Sequence, residues 1–175
     1  MTPLVSQLWP QFMADPDFAA SFGRVIVEHA RMLRQERQVV FTLRSAAPLD
    51  KGLCARLLAS LQPDYEGFEL KINNLFGYAA LDEAALRELM EEMKRDGIPI
   101  NGFLDRCRIT ITGQNITVGV CHGTKFLQEM EFERLLADRV AAHTGVRPKV
   151  TLTSAVGEAE QRQICLLYTS DAADD

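Results

Sequence analysis

The chain has 175 residues, of which 47% are hydrophobic and 25% charged, with a formal net charge of −5. Those proportions suit one globular domain or two small ones, and a chain of this size can bury a core. No apolar run reaches the roughly 18 residues of a membrane-spanning helix. Residues Met1 to Asp17 lack a positive segment followed by an apolar one, so no signal peptide is read there and the cytoplasm is the expected compartment.

The elements follow in chain order. Pro3 to Met13 carries Leu4, Leu8, Trp9 and Phe12 at helical spacing, but Pro10 breaks the run, so a short or kinked helix is expected. After Asp15-Pro16-Asp17 the pattern changes. Arg24 to Leu33 reads as a strand. Gln38 to Arg44 reads as its hairpin partner, with Val39, Phe41 and Leu43 on one face. Leu49 to Leu61 has Leu53, Leu57 and Leu61 one turn apart and predicts a helix, which Pro63 and Asp64 end. Phe68 to Asn73 alternates again, as a third strand. Glu83 to Arg95 is a helix with Asp82 as its N-cap. Its apolar stripe is Leu86, Leu89, Met90 and Met93, Lys94 and Arg95 sit in its last turn, and Gly97 and Pro99 stop it. The acids Glu88, Glu91 and Glu92 on its other side read as a solvated face.

The same order then recurs. Arg106 to Thr112 and Asn115 to Val120 flank Gly113-Gln114, a pair that suits a type II′ turn. Cys107, Ile109, Ile111, Ile116, Val118 and Val120 point inward. A long helix is expected from Lys125 to Ala142, capped by Thr124 and burying Phe126, Met130, Phe132, Leu135, Leu136 and Val140. Gly145 ends it, and Lys149 to Thr153 is the closing strand. The predicted class is α+β: two small lobes, each a β-hairpin, a helix and a strand, the second KH-like, joined by the helix Glu83 to Arg95. The expected division is 1–80 for the N-terminal helix and first lobe, 81–157 for the linking helix and second lobe, and 158–175 for an unstructured end.

Residues with chemical potential are scattered. Cys54, Cys107, Cys121 and Cys165 have no CxxC spacing, and Cys121 beside His122 reads as strand-end packing. His29 lies in a strand and His143 at a helix C-terminus. Neither they nor His122 neighbours a nucleophile pattern, and no phosphate-binding glycine loop occurs. Asp105 and the acids of the linking helix form no defensible two-metal cluster. No catalytic, cofactor-binding or metal-binding residue is therefore assigned. Arg106 and Arg108, with Thr110 and Thr112 on the exposed side of a strand, are candidate phosphate contacts, although a solvated face is the plainer reading. A KH domain clamps nucleic acid with a GxxG loop; the nearest candidate, Gly123-Thr124-Lys125-Phe126, lacks the second glycine. Trp9 and Phe12 are candidate partner contacts, because large apolar side chains on a short terminal helix need something to pack on. Their own lobe is the plainer answer.

The last eleven residues, Cys165-Leu-Leu-Tyr-Thr-Ser-Asp-Ala-Ala-Asp-Asp175, resemble the conceptual translation of a transposon-type sequencing adaptor. Without them Asp+Glu falls from 24 to 21 while Lys+Arg stays at 19, so the net charge becomes −2. On this reading the native protein continues past about Ile164. A nearly neutral chain lacks the positive field of a dedicated nucleic-acid binder.

The hairpin Val39-Val40-Phe41-Thr42-Leu43 with the helix Leu49 to Leu61 and the strand after it resembles the first N-terminal domain of bacterial PolC-type DNA polymerase III alpha subunits. Arg108-Ile-Thr-Ile-Thr-Gly-Gln-Asn-Ile-Thr-Val-Gly-Val120, the helix after it and Arg147-Pro-Lys-Val-Thr-Leu152 resemble the second. The resemblance covers about residues 20 to 155 and lies in hydrophobic pattern and element order. It implies a first lobe similar to the polymerase-binding domain of the clamp-loader tau subunit, and a KH-like second lobe without the RNA-clamping loop. It also implies a non-catalytic role in DNA replication, with replisome proteins such as clamp-loader tau as partners, little nucleic-acid contact and no membrane contact. This part would hold no cofactor. The parent protein would be a DNA-directed DNA polymerase, a nucleotidyltransferase with a 3′–5′ exonuclease and divalent metal ions in other domains. The competing expectations are a stand-alone KH-like RNA- or single-stranded-DNA-binding protein and a small enzyme of unassigned class.

Overall fold

Why the first lobe forms is legible from its apolar spacing. The computed structural model describes residues 2–100 and 102–154. The expected unstructured end, the adaptor-like residues 165–175 and Cys165 lie outside the described residues. The chain divides into two compact units. One holds the described residues up to Leu81 together with Ala142–Val146, and the other holds Asp82–Ala141 and the described residues from Arg147 onward, residue 101 aside. The end of the last helix and the turn after it thus belong with the first unit.

The first unit opens with helix α1 (Val5–Leu8), a 3-10 turn at Pro10–Ala14 and helix α2 (Pro16–Phe22). The last of these was not anticipated, though its signals are in the sequence. The Asp15 side chain accepts from the Asp17 N–H, Pro16 takes the first helical position, and Phe18 and Phe22 lie one turn apart, both buried. Strand β1 (Ile26–Leu33) pairs antiparallel with β2 (Gln38–Arg44), and β3 (Glu69–Leu75) runs parallel to β2. Between β2 and β3 the chain crosses through α3 (Lys51–Leu61), whose first turn is capped by Asp50 accepting from the Leu53 N–H at 2.8 Å. A β-bulge at Glu28 sets both Glu28 and His29 against Thr42. It re-phases the strand, so that Ala30 and Met32, rather than His29 and Arg31, share a side with Phe41 and Val39. The start of the β1 edge is covered: the Val27 N–H donates to the Pro3 carbonyl and the Val5 N–H to the Val25 carbonyl.

Val39, Phe41, Leu43, Cys54, Leu57, Leu61 and Leu70 fill the core of this unit with Phe18 and Phe22. Burial pushes the Cys54 thiol up to about 11. His143, in the last turn of its helix as expected, donates from Nδ1 to the Asn74 carbonyl at 2.8 Å, and its own carbonyl accepts from the Phe76 N–H.

The second unit repeats the frame. Helix α4 (Glu83–Arg95) is capped by Asp82, which accepts from the Ala85 N–H, and all four expected stripe residues are buried. Its C-terminus closes in a Schellman motif: Ile98 donates to the Met93 carbonyl and Gly97, at φ 85°, to that of Lys94. The acidic side is ion-paired as well as solvated. Glu88 meets Arg95, Glu91 meets Lys94, and Glu92 lies 3.9 Å from Arg139. Strands β4 (Arg108–Thr112) and β5 (Asn115–Val120) form the hairpin, and β6 (Lys149–Ser154) lies parallel to β5. Gly113 has φ 56° and Gln114 does not share the positive sign, the pattern of the expected turn.

The crossover departs from expectation. Two helices replace the long one: α5 (Thr124–Glu129) and α6 (Phe132–Thr144), separated at Glu131 with φ 55°. Thr124 caps nothing; Gly123 holds the cap position without a side-chain bond. Leu127 and Phe132 are both fully buried. In one continuous helix five residues of separation would turn them about 140° apart. The break brings both to the core, and Leu136 and Val140 then follow Phe132 along one side. Phe126, expected inside, is 40% exposed, and Met130 and Leu135 are half-buried.

Candidate functional site

Trp9 and Phe12 both find partners in their own lobe. Trp9 is half-buried and meets Phe41 edge-on at 5.6 Å, and Phe12 stacks on Phe18 at 5.8 Å. The Arg56 guanidinium sits 5.0 Å over the Phe18 ring and bonds Asp15 at 2.6 Å, which holds the Asp15 carboxyl below its ordinary range. The large apolar side chains left exposed in this unit are Leu8, Met32 and Leu33. His29 bonds the buried Thr42 hydroxyl at 3.1 Å, which satisfies that side chain.

In the second unit, alternation along the strands gives each sheet face its own chemistry. Ile109, Ile116, Val118, Val120 and Leu152 are buried on the helix side. The other side carries Arg108, Thr110 and Thr112 opposite Gly119, Thr117 and Asn115, with Lys149, Thr151 and Thr153 beyond them. Arg108, Thr110, Thr112, Thr151 and Thr153 are exposed, and a shallow hollow of about 200 Å³ lies among Arg108, Thr110, Thr117 and Thr153. Arg106 precedes the strand and is exposed; the Cys121 thiol lies 4.0 Å from its carbonyl. The two candidate arginines therefore lie along one edge of an open polar face.

Beside Arg106, three rings meet. Phe103 stacks on Phe126 at 5.1 Å with 29° between planes, and His122 tilts against Phe103 at 5.5 Å. Gly123 makes this possible. Its φ is 79°, and an added Cβ would come within 2.1 Å of the Phe103 ring. Sequence periodicity missed both phenylalanines. Phe103 lies outside any regular element, and Phe126 matched the core period of a helix that the fold breaks. The one available signal was Gly123 among aromatic and histidine neighbours.

No family model, curated protein or solved structure matches this chain. Asp105 is an ion-pair partner, 3.3 Å from Lys94. Arg87 spans Glu83 and the Cys107 carbonyl, at 2.8 and 2.9 Å. Arg87, Lys94, Asp105 and Leu104 border a second hollow, of about 190 Å³, whose charges neutralise one another. Among the described residues no three His, Cys, Asp or Glu side chains are grouped to hold a metal ion, and no helix is long and apolar enough to cross a membrane.

Proposed function

We propose that this chain is the N-terminal, non-catalytic region of a bacterial PolC-type DNA polymerase III alpha subunit, acting in the cytoplasm through protein contacts that place the polymerase in the replisome. One observation carries the reading: two successive lobes share one frame, an antiparallel hairpin followed by a third strand parallel to the second. The first would be the counterpart of the polymerase-binding domain of clamp-loader tau, and the second the KH-like lobe. The second runs helix, strand, strand, helix, helix, strand. A clamp loop would occupy the α5–α6 junction, and Met130-Glu131 there supplies no glycine. That supports a lobe used for something other than KH-type clamping. Polymerase and exonuclease chemistry, with its divalent metal ions, would belong to domains beyond this chain.

The test is to recover the gene from the same source and read past the codon for Ile164. A frame continuing into OB, PHP, exonuclease and polymerase domains is expected. A stop codon close to that point would overturn the polymerase reading and leave a small KH-like binding protein.

A further inference from the structure

The second lobe leaves several exposed cations without a carboxylate among the described residues, most of them toward the end of the sheet near its exposed rings and one, Lys149, at the opposite end. Arg87, Lys94, Arg95, Arg134, Arg139 and Arg147 all pair with carboxylates. Arg106, Arg108, Lys125 and Lys149 are exposed and have no carboxylate partner among the described residues. Two carboxylates are near: Asp105, bonded to Lys94, and exposed Glu129, one helical turn from Lys125. Arg106 and Arg108 stand two residues apart in an alternating segment, with the hydroxyls of Thr110, Thr117 and Thr153 continuing along the face. At the Arg106 end the stacked Phe103–Phe126 pair lies with Phe126 40% exposed and His122 also exposed.

A ligand that satisfies such a strip must present both a flat π surface and regularly spaced negative charge. A protein interface has an apolar centre, whereas the sheet side of this strip offers threonine hydroxyls and guanidinium groups there. A duplex would keep its bases stacked away from the rings. We propose that this strip binds a single-stranded oligonucleotide, with one base stacked on Phe126 and the sugar–phosphate backbone following Arg106, Arg108 and the threonine hydroxyls. The Phe103 ring that backs Phe126 is seated against the Gly123 backbone, so the platform is formed before any ligand arrives. The inference rests on the second lobe alone and does not depend on the polymerase reading.

The experiment is fluorescence anisotropy with the full chain and labelled oligothymidine or oligouridine of about 15 nucleotides. With Arg106, Arg108 and Lys125, the exposed neighbour of Phe126, engaged, the slope of log K against log salt is expected near −2, so affinity falls roughly 20-fold between 50 and 200 mM salt. Phe126→Ala and Phe126→Leu should each weaken binding about tenfold, the leucine variant keeping an apolar side chain against Phe103 while removing the π face. Arg106→Gln with Arg108→Gln should bring the slope to about −0.7. Met32→Ser, in the first lobe, should change nothing. The two oligonucleotides distinguish DNA from RNA as the ligand. No binding at up to about 100 µM protein overturns the proposal. So does Phe126→Leu binding as tightly as the parent chain, or a duplex binding as well as the single strand.

Discussion

The two lobes solve one topological problem with different materials. Both follow a hairpin with a third strand parallel to the second, and both must cover one sheet face during the crossover. In the first lobe Cys54, Leu57 and Leu61 recur at helical spacing and one capped helix suffices. In the second, Leu127 and Phe132 are out of phase, and the crossover divides at a left-handed Glu131. The first lobe adds an aromatic layer from its N-terminal segments, where Phe12, Phe18 and Phe22 stack in series. The second has an interior that is aliphatic apart from Phe132, and places its Phe103–Phe126 pair where Phe126 stays partly exposed. The frame is thus tolerant of how it is filled, and the differences lie where a lobe can acquire its own function.

The comparison is broken most severely by emptying either core. Phe22→Ala and Phe132→Ala each remove a fully buried ring and should cost about 3–5 kcal/mol. Hydrogen exchange by mass spectrometry should show faster exchange in β1–β3 for the first and in β4–β6 for the second. Equal acceleration throughout both lobes would contradict two separate cores. Glycine substitutions rank next. Gly67→Ala in the first lobe places a side chain at φ 79° with only the end of Arg37 nearby, at 3.4 Å, and should cost about 1–2 kcal/mol. Gly123→Ala has the same φ and also collides with the Phe103 ring, so about 3 kcal/mol is expected, read by chemical denaturation.

Caps give a smaller contrast. Asp50→Ala should destabilise the first lobe by about 1 kcal/mol, whereas Thr124→Ala in the second should stay within about 0.5 kcal/mol, because Thr124 does not cap its helix. The smallest effect is a pH dependence confined to the first lobe. Arg56 and the Asp17 N–H hold the Asp15 carboxyl below its ordinary value of 3.8. The charged form is therefore favoured in the fold. Its contribution is present above pH 3.8 and is lost as pH falls through the lower folded value. Asp15→Asn should flatten the acid limb of the first lobe's stability curve while leaving that of the second unchanged. Identical limbs for both proteins would remove Asp15 from the account.

Much of the fold was legible because alternation and helical period report directly on which residues meet apolar surroundings. Strands Gln38–Arg44 and Asn115–Val120 and helix Glu83–Arg95, with its Asp82 cap, have the boundaries that pattern predicts. Helix Pro16–Phe22 was legible too, through its Asp-Pro start and paired phenylalanines, but is too short for periodicity to stand out. The candidate site was only partly so. Alternation put Arg108 on the exposed side of its strand, but Arg106 lies just before that strand, Phe103 sits in an irregular segment and Phe126 mimicked a core position.

By itself the sequence determined the α+β class, the order of elements and the apolar side of nearly every one, since these follow from local spacing and capping chemistry. Only the tertiary structure decided where the second crossover breaks, which aromatic rings remain at the surface, and which cations have no carboxylate among the described residues. Those outcomes depend on which distant side chains compete for the same core volume and the same ion-pair partners, and no local pattern encodes that competition.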